Sequence, residues 1–458
     1  MNAVKSSAEE RKLDLFNGPI LSTLLRLSIP NSFAMLAAIL VSLAETVYVG
    51  LLGTSALAGI AVVFPLLVLQ QGLSVGAMGG GITSAISRAL GAGDQERAEA
   101  LALHGVAIGV VCGVSTTAVM LTCGPTIYRL LGATGDVLTK ALEYSNVAFL
   151  GSPLIWLAFT LIAIVRATGN MRLASGVALF SLTLQAAVGA ALGFGLGPLP
   201  ALGMSGIALG LVVGLASAAA FLAFYLCSNR STVRIRFSGF TFRRELFSEI
   251  LQVGLLTCVS TIQTTLAVLI MTSFIARYGS EALAGYGIGA RFEMILIPLS
   301  AGVGVACIPM VGMAIGAGNV ARARRITLIG AILTASVVGA LGLVLSIAPQ
   351  IWANIFTDNP TTLQVAHTFL HWTGPAYAFF GMGICLLFAS QGARKVLGPV
   401  LAGTARLITI FFGGLVLVYM EAPMHYYFAL VAAAMIIYGT AAAFAVYLAD
   451  WTPRNQHR

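Results

Sequence analysis

Charge is what this sequence lacks. Of its 458 residues only 9% are Asp, Glu, Lys or Arg, while 58% are apolar and the mean hydropathy is +0.95. Soluble domains carry about 25% charged residues. There is too little charge here to cover a water-facing surface, and a lipid bilayer is the solvent that tolerates such a surface. The six cysteines (Cys112, Cys123, Cys227, Cys258, Cys307 and Cys385) are far apart with no CxxC spacing, so neither a zinc site nor a disulfide framework is indicated. Met1 to Leu13 is polar and charged, so no cleavable signal peptide is visible and the first apolar helix is expected to act as its own signal-anchor. The net charge of +9 does not point to nucleic acid, because the basic residues are scattered in short loops with no soluble module to present them as a patch.

What the sequence has is long apolar runs. A helix needs about 20 predominantly apolar residues to cross a bilayer. Twelve spans meet this, at 22–50, 55–86, 100–123, 140–166, 173–195, 203–227, 248–276, 281–316, 326–348, 363–390, 397–419 and 425–449. The 57-residue uncharged run from Leu173 to Asn229 must be two helices, split by the Gly195 to Pro200 turn. Spans two and eight are longer than a straight crossing requires, so they are expected to tilt or bend, with Pro65, Pro298 and Pro309 as kink points.

Loop charge tests this count. With a cytoplasmic N-terminus, 20 of the 25 Lys and Arg fall in loops assigned inside: Lys5, Arg11, Lys12, Arg26, Arg88, Arg97, Arg166, Arg172, Arg230, Arg234, Arg236, Arg243, Arg244, Arg322, Arg324, Arg325, Arg394, Lys395, Arg454 and Arg458. Arg129, Lys140 and Arg277 fall outside, and Arg291 and Arg406 lie within spans. This is the bias of the positive-inside rule, and a miscount by one helix would scramble it. Both termini are therefore expected on the cytoplasmic side of a cell (inner or plasma) membrane.

The chain also repeats itself. Gly53-Thr-Ser-Ala-Leu-Ala-Gly59 returns as Gly279-Ser-Glu-Ala-Leu-Ala-Gly285, and Ala89-Leu-Gly-Ala-Gly-Asp94 as Ala314-Ile-Gly-Ala-Gly-Asn319, each loop followed by Arg-Ala. Small-residue echoes are common in packed membrane helices, but a heptapeptide and a loop whose offsets agree to within one residue indicate duplication. Units of six helices leave both copies facing the same way, so the symmetry axis should run along the membrane normal. The expected fold is all-α, with twelve transmembrane helices in two parallel six-helix lobes. Its parts are an N-terminal segment (1–21), an N-lobe (22–228), an inter-lobe linker (229–247), a C-lobe (248–449) and a tail (450–458). Two parallel halves around a cleft suit a rocking carrier better than a pore.

At these same residues the chain resembles the multidrug and toxic compound extrusion (MATE) family, from Leu15 to about Leu448. The likeness is carried by Leu27-Ser-Ile-Pro30, by Glu45-Thr-Val-Tyr-Val-Gly50 where the family typically reads Asp-Thr, and by the doubled blocks just described. Arg166-Ala-Thr-Gly-Asn170 also fits, with Gln391-Gly392 in the same place of the second half. The resemblance implies export of bulky, often cationic, amphipathic compounds by proton- or sodium-coupled antiport through alternating access. It implies no cofactor.

An ionisable group inside a span is costly and is a functional candidate by default. Glu45 stands where the resemblance places the cation-coupling aspartate; the competing account is an interfacial Glu at the outer helix end, since roughly 30 Å of helix precedes it. The family's cation site also uses Asn and Asp four apart in span five and a Thr in span six, and those places read Ser181, Gln185 and Leu211 here. Glu45, Ser181 and Gln185 are thus the cation-coupling candidates. A lone carboxylate among neutral groups suits a proton better than sodium, which prefers several hard oxygen ligands. An acidic pair that one branch of the family carries in the second lobe is missing too, with Gln263 or Thr264 and Phe380 near its positions.

Substrate-binding candidates are Glu293 and Arg291 in span eight, with Gln70, Gln263, Phe292, Tyr377 and Phe380. Residues two apart point to different sides of a helix, so Arg291 and Glu293 do not simply neutralise each other. Arg291 either faces the cavity, opposite Glu45, or snorkels outward. Glu293 either binds cationic substrates or is a locally bonded structural group. Glutamines also bridge membrane helices, and aromatics suit cation–π contact but equally line cores. Arg166 and Arg406 are read as orienting and loop-anchoring residues.

Three other classes compete. A lipid-linked saccharide flippase should carry several intramembrane Lys or Arg for pyrophosphate, and only Arg291 and Arg406 qualify. A membrane enzyme should show a Ser-His, HExxH or paired-aspartate constellation in the spans, and none occurs. A sensor or channel would not need two lobes. The expected partners are the bilayer and small molecules, with the chain a monomer and no metal bound.

Overall fold

The structure, a computed structural model, describes residue 15, residues 17–235 and residues 241–452. Of the basic residues counted for orientation, Lys5, Arg11, Lys12, Arg236, Arg454 and Arg458 lie outside the described residues, as does most of the N-terminal segment. The regular structure in the described residues is helical throughout. In chain order the helices are α1 (Ile20–Leu51), α2 (Thr54–Gly91), α3 (Gln95–Leu130), α4 (Gly135–Leu150 continued by Ser152–Ala167), α5 (Met171–Phe194) and α6 (Gly203–Cys227). They are followed by α7 (Arg244–Tyr278), α8 (Ser280–Gly316), α9 (Val320–Ile347), α10 (Pro360–Gly392), α11 (Leu397–Tyr419) and α12 (His425–Leu448). Eleven are each long and apolar enough to cross a bilayer, and the bent α4 makes twelve.

The chain forms two compact units. Residues 33–254 make the first, and residues 17–32 with 255–452 the second, so the division falls within α1 and α7. The start of α1 belongs to the second unit because Asn31 Nδ2 donates to the Gly302 carbonyl at 3.3 Å and Ser32 lies on Gly302, where a β-carbon would not fit. The start of α7 belongs to the first, with Gly254 against Met78 and Glu249 between two arginines.

Within each unit the same pairs of helices pack. In the first these are α5 with α6, α3 with α4, α2 with α4 and α4 with α6; in the second, α11 with α12, α9 with α10, α8 with α10 and α10 with α12. The turns repeat as well. Gly93 and Gly318 take positive φ of 77° and 75°, and Asp94 and Asn319 each cap the next helix by accepting from the backbone N–H of Arg97 and Arg322 at 2.9 Å. A short Asx side chain at an N-cap meets a donor the helix cannot satisfy itself, which is why the loop motif recurs in this form.

The irregularities of the long spans fall at glycines more than at prolines. α2 runs through Pro65 as α-helix and loosens into a π-helical stretch over Gly72–Met78, followed by Gly79, Gly80 and Gly81. α8 is continuous from Ser280 to Gly316 with Pro298 and Pro309 inside it. α4 bends by 49° at Gly151, shortly before Pro153. α10 has a 3₁₀ turn, Gly374–Ala376, at the equivalent place. A proline lacks the N–H that would hold the preceding turn, and one stands at each place, Pro153 and Pro375.

Candidate functional site

The first lobe gathers its polar candidates where α5 comes closest to α6. Gly206, Gly210 and Gly214 recur every fourth residue on α6 and place a bare backbone stripe against α5. A β-carbon on Gly210 would stand 2.6 Å from the Gln185 carbonyl oxygen, and one on Gly214 2.6 Å from that of Ser181. Small residues at this spacing permit backbone contact between membrane helices. Ser181 and Gln185, one turn apart on α5, are 2% and 7% exposed, and Leu211 of α6 is buried too.

From this position Gln185 Nε2 donates to Glu45 Oε1 at 2.7 Å, joining α5 to α1. Tyr144 of α4 is buried within electrostatic reach of the same carboxylate. The Ser181 hydroxyl is buried without a hydrogen-bond partner. Glu45, Gln185 and Tyr144 thus form one cluster, with Ser181 one turn away. Gln70 belongs elsewhere. It sits on α2 beside the π-helical stretch, its Nε2 donates to Ser152 Oγ at 3.1 Å across the α4 bend, and its Oε1 is buried unpartnered.

The second lobe gathers a different set. Glu293 on α8 lies within electrostatic reach of Arg406 on α11 and of the hydroxyls of Tyr286 and Tyr377, and its Oε1 has no hydrogen-bond partner. Arg406 is buried at 7% exposure near the middle of α11. Its guanidinium lies 4.8 Å from the Phe380 ring centroid and 6.0 Å from that of Tyr438. Gln263 on α7 donates to Thr404 Oγ1 at 2.7 Å while its Oε1 stays unpartnered. Phe292 packs edge-on to Trp352 at 5.5 Å and tilted to Tyr377 at 5.9 Å.

Of the candidates for this lobe, Glu293, Phe292, Tyr377 and Phe380 are neighbours of one buried group, and Gln263 adjoins it at Gly403, where a β-carbon would stand 2.6 Å from Gln263 Oε1 and 4.0 Å from the Tyr438 ring. Arg291 is not among them. It is exposed on α8, with its guanidinium 5.4 Å from the Phe356 ring centroid. Arg406 departs from expectation: it is an interior side chain stacked on aromatic rings, not a loop anchor. A guanidinium needs that stacking and a nearby anion to be tolerated inside a lobe. The signal for it was the repeat. In the register that pairs Arg166 with Gln391, Arg406 takes the place of Ser181, so the two lobes put polar chemistry at matching helix positions with opposite character.

Comparison with known proteins follows the same division. The family model described as MatE matches twice, over residues 30–191 and 257–416. The FAD transporter of Shewanella oneidensis is 22% identical over 396 residues, 86% of this chain and 87% of that protein. The multidrug export protein MepA of Staphylococcus aureus is 28% identical over 290 residues, 62% of this chain and 63% of that protein, so the match spans less than two thirds of its length. Among solved structures, a MOP superfamily transporter from Pyrococcus furiosus, described as having a binding pocket of reverse polarity, superimposes with a TM-score of 0.87 at 23% identity. That superposition covers 95% of this chain and 96% of the other. An outward-facing multidrug resistance MATE family transporter gives 0.85 at 23% identity with the same coverage. These likenesses show the fold.

Proposed function

Because the chain belongs to the MatE family and is therefore a multi-pass membrane transporter, we propose that it exports amphipathic, often cationic, organic compounds by proton-coupled antiport, with Glu45 as the proton-carrying group. The observation that supports this most is the bond from Gln185 to Glu45. A glutamine amide has a donor end and an acceptor end. Its N–H₂ serves the ionised carboxylate, and a half-turn of the amide would offer its oxygen to the protonated one. One partner thus accommodates both states of Glu45, and the exchange changes how α5 and α1 are tied.

Sodium is less well served. Even with the amide turned, Gln185 adds one neutral oxygen, and Glu45 is the one formal negative charge in the cluster. A hard cation of this kind favours several oxygen ligands around it. The substrate is proposed to meet the second lobe's aromatic group around Glu293, where Tyr377, Phe292 and Phe380 offer soft apolar faces and Glu293 a negative charge. The relative named a multidrug export protein fits this reading.

The test is dye export by inverted vesicles under an imposed proton or sodium gradient. Export should follow the proton gradient in the wild type and lose its dependence on that gradient in Glu45→Gln. Export driven by sodium alone at zero pH difference would overturn the ion assignment, and gradient-coupled export by Glu45→Gln would overturn the role of Glu45.

A further inference from the structure

Inside the second lobe, three polar side chains from three helices have atoms with nothing to bond to. Arg406 Nε on α11, Glu293 Oε1 on α8 and Gln263 Oε1 on α7 are all buried and unpartnered. Arg406 and Gln263 are 7% and 9% exposed. Glu293 and Arg406 are electrostatic neighbours but do not form an ion pair. Leaving a buried donor or acceptor unmade costs about 1–3 kcal/mol each, and more for a charged group. One donor and two acceptors, brought from three helices of one lobe, together favour a group that bonds to all of them.

The chemistry of that something can be read from what is missing. Arg406 needs an acceptor; Glu293 and Gln263 need donors. The two formal charges cancel, so a neutral group that both donates and accepts leaves the cluster balanced. The flanks are aromatic: Phe380 beneath the guanidinium at 4.8 Å, Tyr438 at 6.0 Å, with Phe292 and Tyr377 at 5.9 Å from each other. Flat faces of this kind receive a flat ring by offset or edge-on contact.

We propose that the buried polar cluster of Glu293, Arg406 and Gln263 binds the N–H/C=O edge of a planar, neutral cyclic amide or imide, its carbonyl accepting from Arg406 and its N–H donating to Glu293 or Gln263. This goes beyond the export reading by adding a neutral ligand class to its amphipathic, often cationic compounds, and it rests on that reading only for transport. Binding stands by itself.

The test therefore measures binding by the purified full-length protein in nanodiscs, using the fluorescence of 1,8-naphthalimide, with N-methyl-1,8-naphthalimide and the zwitterion tryptophan as comparison ligands. Naphthalimide should bind, and N-methylation, which removes the donor but keeps ring and carbonyls, should weaken binding roughly tenfold or more. Arg406→Lys keeps the charge but lacks Nε, and should lose a similar factor while the protein retains its thermal unfolding midpoint within a few degrees. Equal binding of the N-methyl compound, preference for tryptophan, or full affinity in Arg406→Lys would each overturn the proposal. Loss of gradient-driven dye export with naphthalimide binding intact would count against the export reading and leave this site standing.

Discussion

Gln185 Nε2 lies 2.7 Å from Glu45 Oε1, so a side chain on α5 holds the one carboxylate of α1 from a helix 140 residues further along the chain. The bond has a consequence for rate as well as for coupling. Gln185→Leu keeps the bulk of the side chain but offers neither donor nor acceptor, and a charge-assisted hydrogen bond of this kind contributes about 1.5–3 kcal/mol. Gradient-driven dye export by Gln185→Leu in inverted vesicles should therefore fall about tenfold or more, while binding of the same dye at zero gradient stays near wild type. Unchanged export would show that the amide takes no part.

The close approach of α5 and α6 is what brings Gln185 to its place. A β-carbon on Gly210 would meet the Gln185 carbonyl at 2.6 Å, backbone against backbone, with no flexible end to yield. Gly210→Val should cost about 1–3 kcal/mol by forced separation of the helices and lower the unfolding temperature in detergent. Gly176, on the same helix as Gln185 but with no atom within 4 Å of an added β-carbon, is the control, and Gly176→Ala should melt like the wild type or slightly above it.

Glu249 at the start of α7 accepts from Arg88 at 2.9 Å and from Arg97 at 2.8 Å, tying the end of α2 and the beginning of α3 to it. Its side chain is 6% exposed, that of Arg88 12% and that of Arg97 33%. Removing the shared anion leaves Arg88 partly buried without its counter-charge, a change that costs about 3 kcal/mol in buried pairs. Thermal unfolding of Glu249→Ala should show most of this loss, and Glu249→Gln, which keeps an acceptor oxygen, less of it. Arg97→Ala should cost less than Arg88→Ala, because the more exposed partner already shares its charge with water.

The repeated turns can be tested as a pair. Gly93 and Gly318 have φ of 77° and 75° and nothing within 4 Å of an added β-carbon, so the only penalty for alanine is the backbone conformation. Gly93→Ala and Gly318→Ala should each destabilise by about 1 kcal/mol, and by equal amounts if the two turns are equivalent. A difference well beyond the measurement error between the two melting shifts would deny that equivalence.

The helices and their duplication were legible because both are written locally. Bilayer solvent demands an apolar stretch of fixed length wherever the chain crosses, and a turn needs its glycine and its Asx cap at set positions. Glu45 was legible because one carboxylate in an apolar run has few explanations. Its counterpart in the heptapeptide register, Met271, is buried in the apolar core of the second lobe, 2% exposed. The contrast between a carboxylate and a thioether at matched positions is visible in the amino-acid order alone.

Arg406 was not legible in the same way, although the sequence displayed it in the middle of a span. Whether an intramembrane arginine snorkels to a headgroup or stays inside depends on which way its helix is turned. That is set by neighbours far away in the chain: Tyr438 on α12, Phe380 on α10 and Glu293 on α8. Arg291 shows the opposite outcome two residues from Glu293, exposed and over Phe356. The sequence by itself determined that the protein is a membrane bundle of twelve helices in two related halves, since hydropathy and turn chemistry act over a few residues. Only the tertiary structure decided which polar side chains meet, because that depends on helix rotation and on where glycine lets two backbones touch.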